Sequence, residues 1–368
     1  MARPSAESAP IVIVGGGVIG CAIAFELAGR GRSVTVIERD QPGRAATWAA
    51  AGMLSPLGET PPDSTFAALA AASLNAYPGF LTDLTRDAAS GVEFNAPGKL
   101  EVAFDEAEAA HLRSICQANR LSFMPASAAR ALEAELSDDI VGAAHFPADA
   151  LVDPRALGYA LWKACLKREV VFRAGVSARA VLRDGNVVTG VATDSDVAKA
   201  SVVVIAAGAW SADIEALPVK LPVVPVRGQM LALQCATLPF QRLLQSRRCY
   251  LIPRADGRVL VGATMERVGF DSSTTAAGIQ GLLAAAIQLV PALANAALAE
   301  YWTGFRPGTL DDLPILGADS EVSGLYYATG HYRNGILLAP ITGRIIADLI
   351  EQHVPPFPLH EFSVERFR

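Results

Sequence analysis

The chain has 368 residues, more than one hydrophobic core usually holds, so two lobes are expected. Hydrophobic residues make up 51% and charged residues 18%, which excludes a disordered chain. A net charge of −6 with no basic cluster leaves no footprint for nucleic acid or an anionic membrane, so small molecules are the expected partners.

Residues 1–9 lack the basic start and apolar centre of a signal peptide, and the apolar run 11–29 is broken by glycines and by Glu26. No membrane span and a cytoplasmic location are expected. The five cysteines are scattered without a C-x-x-C, and the five histidines are equally dispersed. Reduced thiols and no metal follow.

The first element in chain order organises the rest. Residues 11–14 are a short apolar run suited to a buried parallel strand, and Gly15, Gly17 and Gly20 follow at the G-x-G-x-x-G spacing. Gly15 permits the turn, Gly17 lets a pyrophosphate approach the backbone, and Gly20 lets the helix pack closely on the sheet. A helix over 18–29 aims its N-terminal N–H groups at that pyrophosphate. Residues 34–37 form the second strand, and Glu38 stands where a carboxylate accepts hydrogen bonds from the adenosine ribose. The motif does not choose between NAD and FAD.

Next, Ala49 to Gly52 carry almost no side-chain bulk. That suits either a small-residue helix start or a backbone segment that approaches a flat ligand, and the position after the ribose acid favours the second. Helices are expected over 65–86, 106–119, 127–136 (capped by Ser127) and from Asp153-Pro154 to about 168; a strand is expected over 98–104. A second α/β signature follows: strand 170–172, a hairpin over 181–191 turning at Asp184-Gly185, and strand 202–208. Strands over 226–234, 249–254 and 258–265, the last two joined through Asp256-Gly257, belong to the other lobe. A helix over 274–290 and a strand over 325–330 close the pattern. The implied architecture is α/β: a Rossmann-like cofactor domain from 1–90, 150–220 and 320–368, with an antiparallel-sheet substrate domain from 91–149 and 221–319 inserted twice.

Six stretches in order resemble the family of FAD-dependent amine and amino-acid oxidases that includes D-amino-acid oxidase, sarcosine oxidase and glycine oxidase. They are the glycine turn at 12–17, GRAATWAAAGMLSPL at 43–57, AAGAWS at 206–211, YLIPRADGRVLVGATME at 250–266, GFRPGTLDDLPILG at 304–317 and ATGHYRNGILLAPITG at 328–343. The resemblance covers nearly the whole chain and is strongest to the glycine-oxidase branch of the thiamine-biosynthesis type. It implies a tight noncovalent FAD, because no cysteine stands in GFRPGTLDD to tether it.

The resemblance assigns Val18, Ile19, Glu38 and Arg39 to the FAD phosphates and ribose. It brings Arg44, Thr47, Ala51, Gly52 and Met53 past the phosphates and ring, and Ala178 to the adenine side. The AAGAWS stretch adds Ala207, Gly208 and Trp210. His331, Tyr332, Arg333, Asn334, Gly335, Ile336 and Leu337 match the segment at the flavin pyrimidine edge, where a helix starting near Ile336 stabilises negative charge on the reduced ring. Thr or Ser of relatives is replaced here by Ala45 and Ala46.

For the substrate, the resemblance implies that Arg306 pairs with the carboxylate, a task suited to a guanidinium fork. Tyr250 helps hold that carboxylate, and Arg333 is a second active-site arginine. Met265 and Met53, with Gly52, line a small apolar pocket. Read as ordinary structural residues, Arg306 would bridge the lobes and Tyr250 and the methionines would fill core. No carboxylate or histidine stands in an evident general-base position. This is compatible with hydride transfer from the Cα of a neutral amine to flavin N5, followed by reoxidation by O2 to give H2O2.

The expected activity is oxidation of glycine and other small amines such as sarcosine and small D-amino acids, supplying iminoacetate for the thiazole of thiamine, in a homo-oligomer. Two alternatives stay open. One is a dehydrogenase that passes electrons to a quinone or partner flavoprotein; the other is a cofactor-binding subunit without catalysis, or a flavin domain detached from an RNA-modifying enzyme.

Overall fold

The computed structural model describes residues 10–57 and 61–368. Its first sheet has six strands in the order Ile315–Ala318, Leu325–Thr329, Val202–Ile205, Ile11–Val14, Val34–Glu38 and Val171–Ala174. All pairings are parallel except the antiparallel edge pair of the first two. Ile11–Val14 lies near the centre with every residue buried, as an all-apolar strand covered on both faces requires.

The Val18–Gly29 helix packs between the Pro154–Lys167 and Gly335–Ile350 helices, which explains its apolar character on nearly all sides. Its crossing with the last helix is close at Gly343, where a Cβ would stand 2.9 Å from the Ala22 carbonyl oxygen. Pro154 at the first turn and Asp153, whose carboxylate accepts from the Arg155 and Ala156 N–H groups, start the Pro154–Lys167 helix as the sequence predicts.

The second lobe is an eight-stranded sheet in the order Ala297–Gly308, Val224–Gln234, Arg258–Gly262, Tyr250–Pro253, Leu243–Gln245, Lys99–Ala103, Gly142–Phe146 and Ser122–Pro125. The Ala276–Leu289 helix, N-capped by the Thr275 hydroxyl, covers one face over a core of Leu231, Leu251, Val261 and Leu282. A small sheet of Met53–Leu54, Ala150–Val152 and Phe94–Asn95 ties the small-residue stretch to the lobe junction.

Several elements differ from expectation. The helix expected over 127–136 is Ala126–Leu132, with Pro125 at the cap position and no bond from Ser127. It stops early because the buried Glu133 carboxylate turns inward to accept from the Gln241 and Arg242 N–H groups. The hairpin expected to turn at Asp184-Gly185 keeps Asp184 paired with Val187, so its two-residue loop is Gly185-Asn186, with Gly185 at φ +56°. The strand expected over 202–208 ends at Ile205 and gives way to a tight helical turn, Gly208–Asp213. Ala297–Gly308, the longest strand, was not expected from its sequence. Ile315–Ala318, which the expected boundary at 319 leaves on the substrate side, joins the six-stranded sheet.

Candidate active site

Between the two sheets runs a cavity of about 580 Å³, within the range of cofactor and ligand sites. Of the site residues named from sequence, all but Gly20, Leu337 and Met265 line it. The N-termini of two long helices open onto it: Val18–Gly29 through Gly17, Val18 and Ile19, and Gly335–Ile350 through Gly335 and Ile336. Each brings the positive end of a helix dipole to the cavity, so negative charge is favoured at both places.

The glycine turn is built from main-chain contacts. Gly15 has φ +109°, and a Cβ there would lie 2.3 Å from the Ala206 oxygen; one on Gly20 would lie 1.9 Å from the Gly15 oxygen. Gly20 therefore works from beneath the turn. Gly17 carries no side chain to cap the helix, and the Thr47 hydroxyl does so instead, accepting from the Val18 N–H at 2.9 Å. Glu38 accepts from the Gly16 N–H at 2.7 Å and the Asp40 N–H at 2.9 Å, one through each carboxylate oxygen. Each oxygen keeps a lone pair with which to accept from a ligand hydroxyl. Arg39 lies over the Trp210 ring at 3.9 Å, and Trp210 stacks on Phe270 with centroids 5.0 Å apart.

The small-residue stretch is clamped from the second lobe. Trp302 donates its indole N–H to the Ala49 carbonyl at 3.0 Å, and the buried Arg254 donates to the Ala51 and Val152 carbonyls. Gly52 has φ +81°, and a Cβ would lie 1.9 Å from the Val152 oxygen. Backbone is thus held at the cavity wall with no side chain in the way.

At the last helix, Pro340 cannot donate to the Ile336 carbonyl four residues back. The Tyr77 hydroxyl donates to that oxygen, and Ser73 donates to the Leu337 carbonyl at 2.6 Å. These bonds from the Thr65–Ala88 helix fix the start of the last helix, and Leu337 is buried behind it. His331 is also buried, with Nε2 at 3.1 Å from the Thr342 hydroxyl, and burial pushes its pKa down to about 3. The imidazole is neutral at physiological pH, and the helix end carries no opposing formal charge from it.

At the second-lobe end, Arg306 and Tyr250 come together from distant segments, with the Arg333 charge close enough to act on Tyr250. Arg306 comes from Ala297–Gly308, and its guanidinium lies over Gly228 of the neighbouring strand, where a Cβ would be 2.5 Å from Nη1. Its Nη1 donates to the Thr264 carbonyl at 3.1 Å, leaving other N–H donors of the fork. Tyr250 stands against Gly262, where a Cβ would be 2.3 Å from Cζ, so that glycine also makes room for a functional side chain. Burial pushes the Tyr250 phenol up, and the Arg306 and Arg333 charges offset only part of that. Tyr250 therefore stays a protonated donor.

Met265 lies outside the cavity wall, 62% exposed, and its sulfur accepts from the Tyr332 hydroxyl at 2.8 Å. Met230 takes the apolar position instead, 3.8 Å from the Tyr250 hydroxyl. Sequence reasoning missed Gly228, Met230, Gln245 and Ser55; the alternation of 226–234 was the only signal for the first two. Among the described residues no group of His, Cys, Asp and Glu is arranged to hold a metal.

The family described as DAO, FAD dependent oxidoreductase, matches residues 10–349. The bifunctional protein ThiO/ThiG of Trichormus variabilis is 40% identical over 367 residues, an alignment that covers 97% of this chain and 55% of that protein. The chain thus spans about half the length of such relatives. The glycine oxidase of Bacillus subtilis is 33% identical, with 96% of each chain covered. The crystal structure of glycine oxidase from Geobacillus kaustophilus superposes with a TM-score of 0.94 at 33% identity, covering 97% of this chain and 99% of that one.

Proposed function

Because the chain belongs to the family of FAD dependent oxidoreductases, we propose that it binds FAD and oxidises glycine and other small amines, with O2 as electron acceptor. The observation that carries this reading is the meeting of Arg306 and Tyr250 at one end of a cavity whose other end is a dinucleotide turn. A guanidinium fork beside a protonated phenol is a receptor for a carboxylate.

The residues fit FAD. Glu38 and the Val18–Gly29 terminus suit an adenosine diphosphate, the bare backbone of 49–52 suits a flat ring, and the Gly335–Ile350 terminus suits an electron-rich ring edge. A flavin held by these residues would supply a hydride acceptor for the substrate Cα and a route for the electrons to O2. Around it, Arg306 and Tyr250 hold the substrate carboxylate and so fix which bond of the α-carbon faces the ring. Met230 and Met53 leave space for a small apolar substituent, which suits glycine, sarcosine and small D-amino acids.

Spectroscopy of the purified protein tests this reading directly. A flavin band should bleach on anaerobic titration with glycine and return in air with stoichiometric H2O2. A band that no small amine bleaches would sink it, and bleaching without peroxide would move it to a dehydrogenase. The reading extends to supply of iminoacetate for a thiazole ring, to a homo-oligomer and to the cytoplasm. Sedimentation of the holoenzyme and fractionation of source cells test the last two. No helix among the described residues is long and apolar enough to cross a membrane.

A further inference from the structure

An amino acid that loses a hydride from Cα must first shed a proton from its ammonium group, since the lone pair on nitrogen drives the step. Neither Arg306 nor Tyr250 can take that proton: the first is a permanent cation and the second a protonated phenol. On the cavity wall, however, stand two polar residues with no part in the cofactor reading, Ser55 and Gln245, the latter the cross-strand partner of Tyr250. Both lead to the same buried charges. Ser55 donates its hydroxyl to Asp149 Oδ2, and Gln245 accepts from Lys99 Nζ at 3.4 Å.

Asp149 is only 1% exposed, and its other oxygen, Oδ1, is buried without a hydrogen-bond partner. Lys99 Nζ lies 3.5 Å from Asp149 Oδ2 and 3.4 Å from Glu101 Oε2, and it also caps the face of Phe146 at 4.0 Å. The side chain of Glu101 is 18% exposed, so the row ends at water. A buried ion pair is poor value for stability alone, because desolvation cancels much of its attraction. Here it spans three separate segments, around residues 55, 99 and 149, and runs from the cavity to the surface.

Resting on the amine oxidation proposed above, we propose that Ser55 and Asp149 relay the ammonium proton of the bound substrate out of the cavity, with Lys99 and Glu101 passing it to solvent. The substrate N–H bond breaks as its proton moves to Ser55 Oγ, and the Ser55 hydroxyl proton moves to Asp149 Oδ2, leaving a neutral amine and a neutral carboxylic acid. No electrons change hands. Lys99 then gives a proton to Glu101 while taking one from Asp149, and Glu101 releases it to water. The charged groups facing Asp149 are Lys99 and Glu101. Burial pushes its carboxyl above the ordinary value and Lys99 and Ser55 pull it back in part, which moves the acceptor toward the working pH. Asp149 acts through Ser55 and is a positioning and proton-holding residue.

The test uses the holoenzyme and its Ser55→Ala and Asp149→Asn variants. Flavin reduction by glycine is followed anaerobically across pH, with proton release read by an indicator dye and acetate binding by the flavin spectrum. Both variants should reduce at least ~10-fold more slowly at pH 7, release the proton correspondingly late, and approach the parent rate as pH nears the pKa of the free amine. Acetate, which has no amine, should bind all three alike. Profiles parallel to the parent at every pH, or acetate binding lost in step with the glycine rate, would overturn the relay. If Asp149→Asn does not fold, Ser55→Ala decides alone. A parent enzyme that glycine does not reduce refutes the proposed activity and the relay with it, whereas normal reduction with parallel profiles refutes the relay only.

Discussion

At the glycine-turn end of the cavity, carbonyls and N–H groups make the site: Gly15 against Ala206, Gly20 against Gly15, Gly16 bonded to Glu38. At the Arg306 end, side chains make it, and the neighbouring backbone contributes chiefly by standing aside at Gly228 and Gly262. The first end comes mainly from one continuous stretch, Ile11 to Glu38, closed by Thr47 and Ala206, and the second from strands separated in sequence and joined only by the eight-stranded sheet. A backbone site fails when an atom is added, whereas a side-chain site fails when one functional group is removed. The two ends should therefore break under different substitutions and with different readouts.

Gly20→Ala presses hardest on that difference. Its Cβ would meet the Gly15 carbonyl oxygen at 1.9 Å, and neither atom belongs to a flexible side chain. Separating helix from turn should cost ~3 kcal/mol or more and yield colourless protein with a lowered Tm. A yellow variant of parental Tm would mean that the turn is not backbone-limited.

Arg306→Ala should leave flavin content and Tm near the parent's, yet cost ~2–5 kcal/mol in kcat/KM for glycine, because the substrate carboxylate is left unpaired. Amines lacking a carboxylate should change far less; equal losses for both would remove Arg306 from its assigned role. Gly228→Ala sharpens the point. Its Cβ would sit 2.5 Å from Nη1, but the guanidinium can swing, so a rise of ~10-fold in KM for glycine with flavin retained is expected. Here an added atom acts through a displaced side chain and leaves the turn untouched.

The same contrast decides how much of the molecule is legible in its amino-acid sequence. Strand 11–14, helix 18–29 and Glu38 lie where the spacing predicts because the signals that mark them are local, although Thr47 supplies the helix cap from outside the stretch. Arg306, Tyr250 and Arg333 are reached only through the resemblance to a known family, since nothing nearby in sequence marks them. Gly304, Pro307 and Gly308 read as breakers within Ala297–Gly308, yet that segment pairs along the whole of Val224–Gln234. Packing against a partner overrides local propensity there. Glu133 ending its helix by capping residues 241 and 242, and Ser55 meeting Asp149 across 94 residues, are long-range bonds that periodicity does not encode.

The smallest effect concerns His331, where the two kinds of construction meet: a side chain buried beneath a helix terminus. Its pKa is about 3 in the folded chain, held down by burial, against ~6.5 when unfolded. Above pH 6.5 the imidazole is neutral in both states and contributes no pH dependence. Between pH 6.5 and 3 the unfolded chain binds a proton that the folded chain refuses, so stability falls as pH falls, by up to ~1.4 kcal/mol per unit. Replacing it by Gln keeps a hydrogen-bonding group near Thr342 and removes the titration. His331→Gln should flatten the acid side of the Tm-against-pH curve between pH 6.5 and 4 while changing stability at pH 7.5 by no more than ~1–2 kcal/mol. A variant curve that runs parallel to the parent's through that window would mean that His331 takes up its proton in the folded state. A cation would then sit beside the positive end of the Gly335–Ile350 helix, which disfavours that proton by the same dipole that favours negative charge in the cavity.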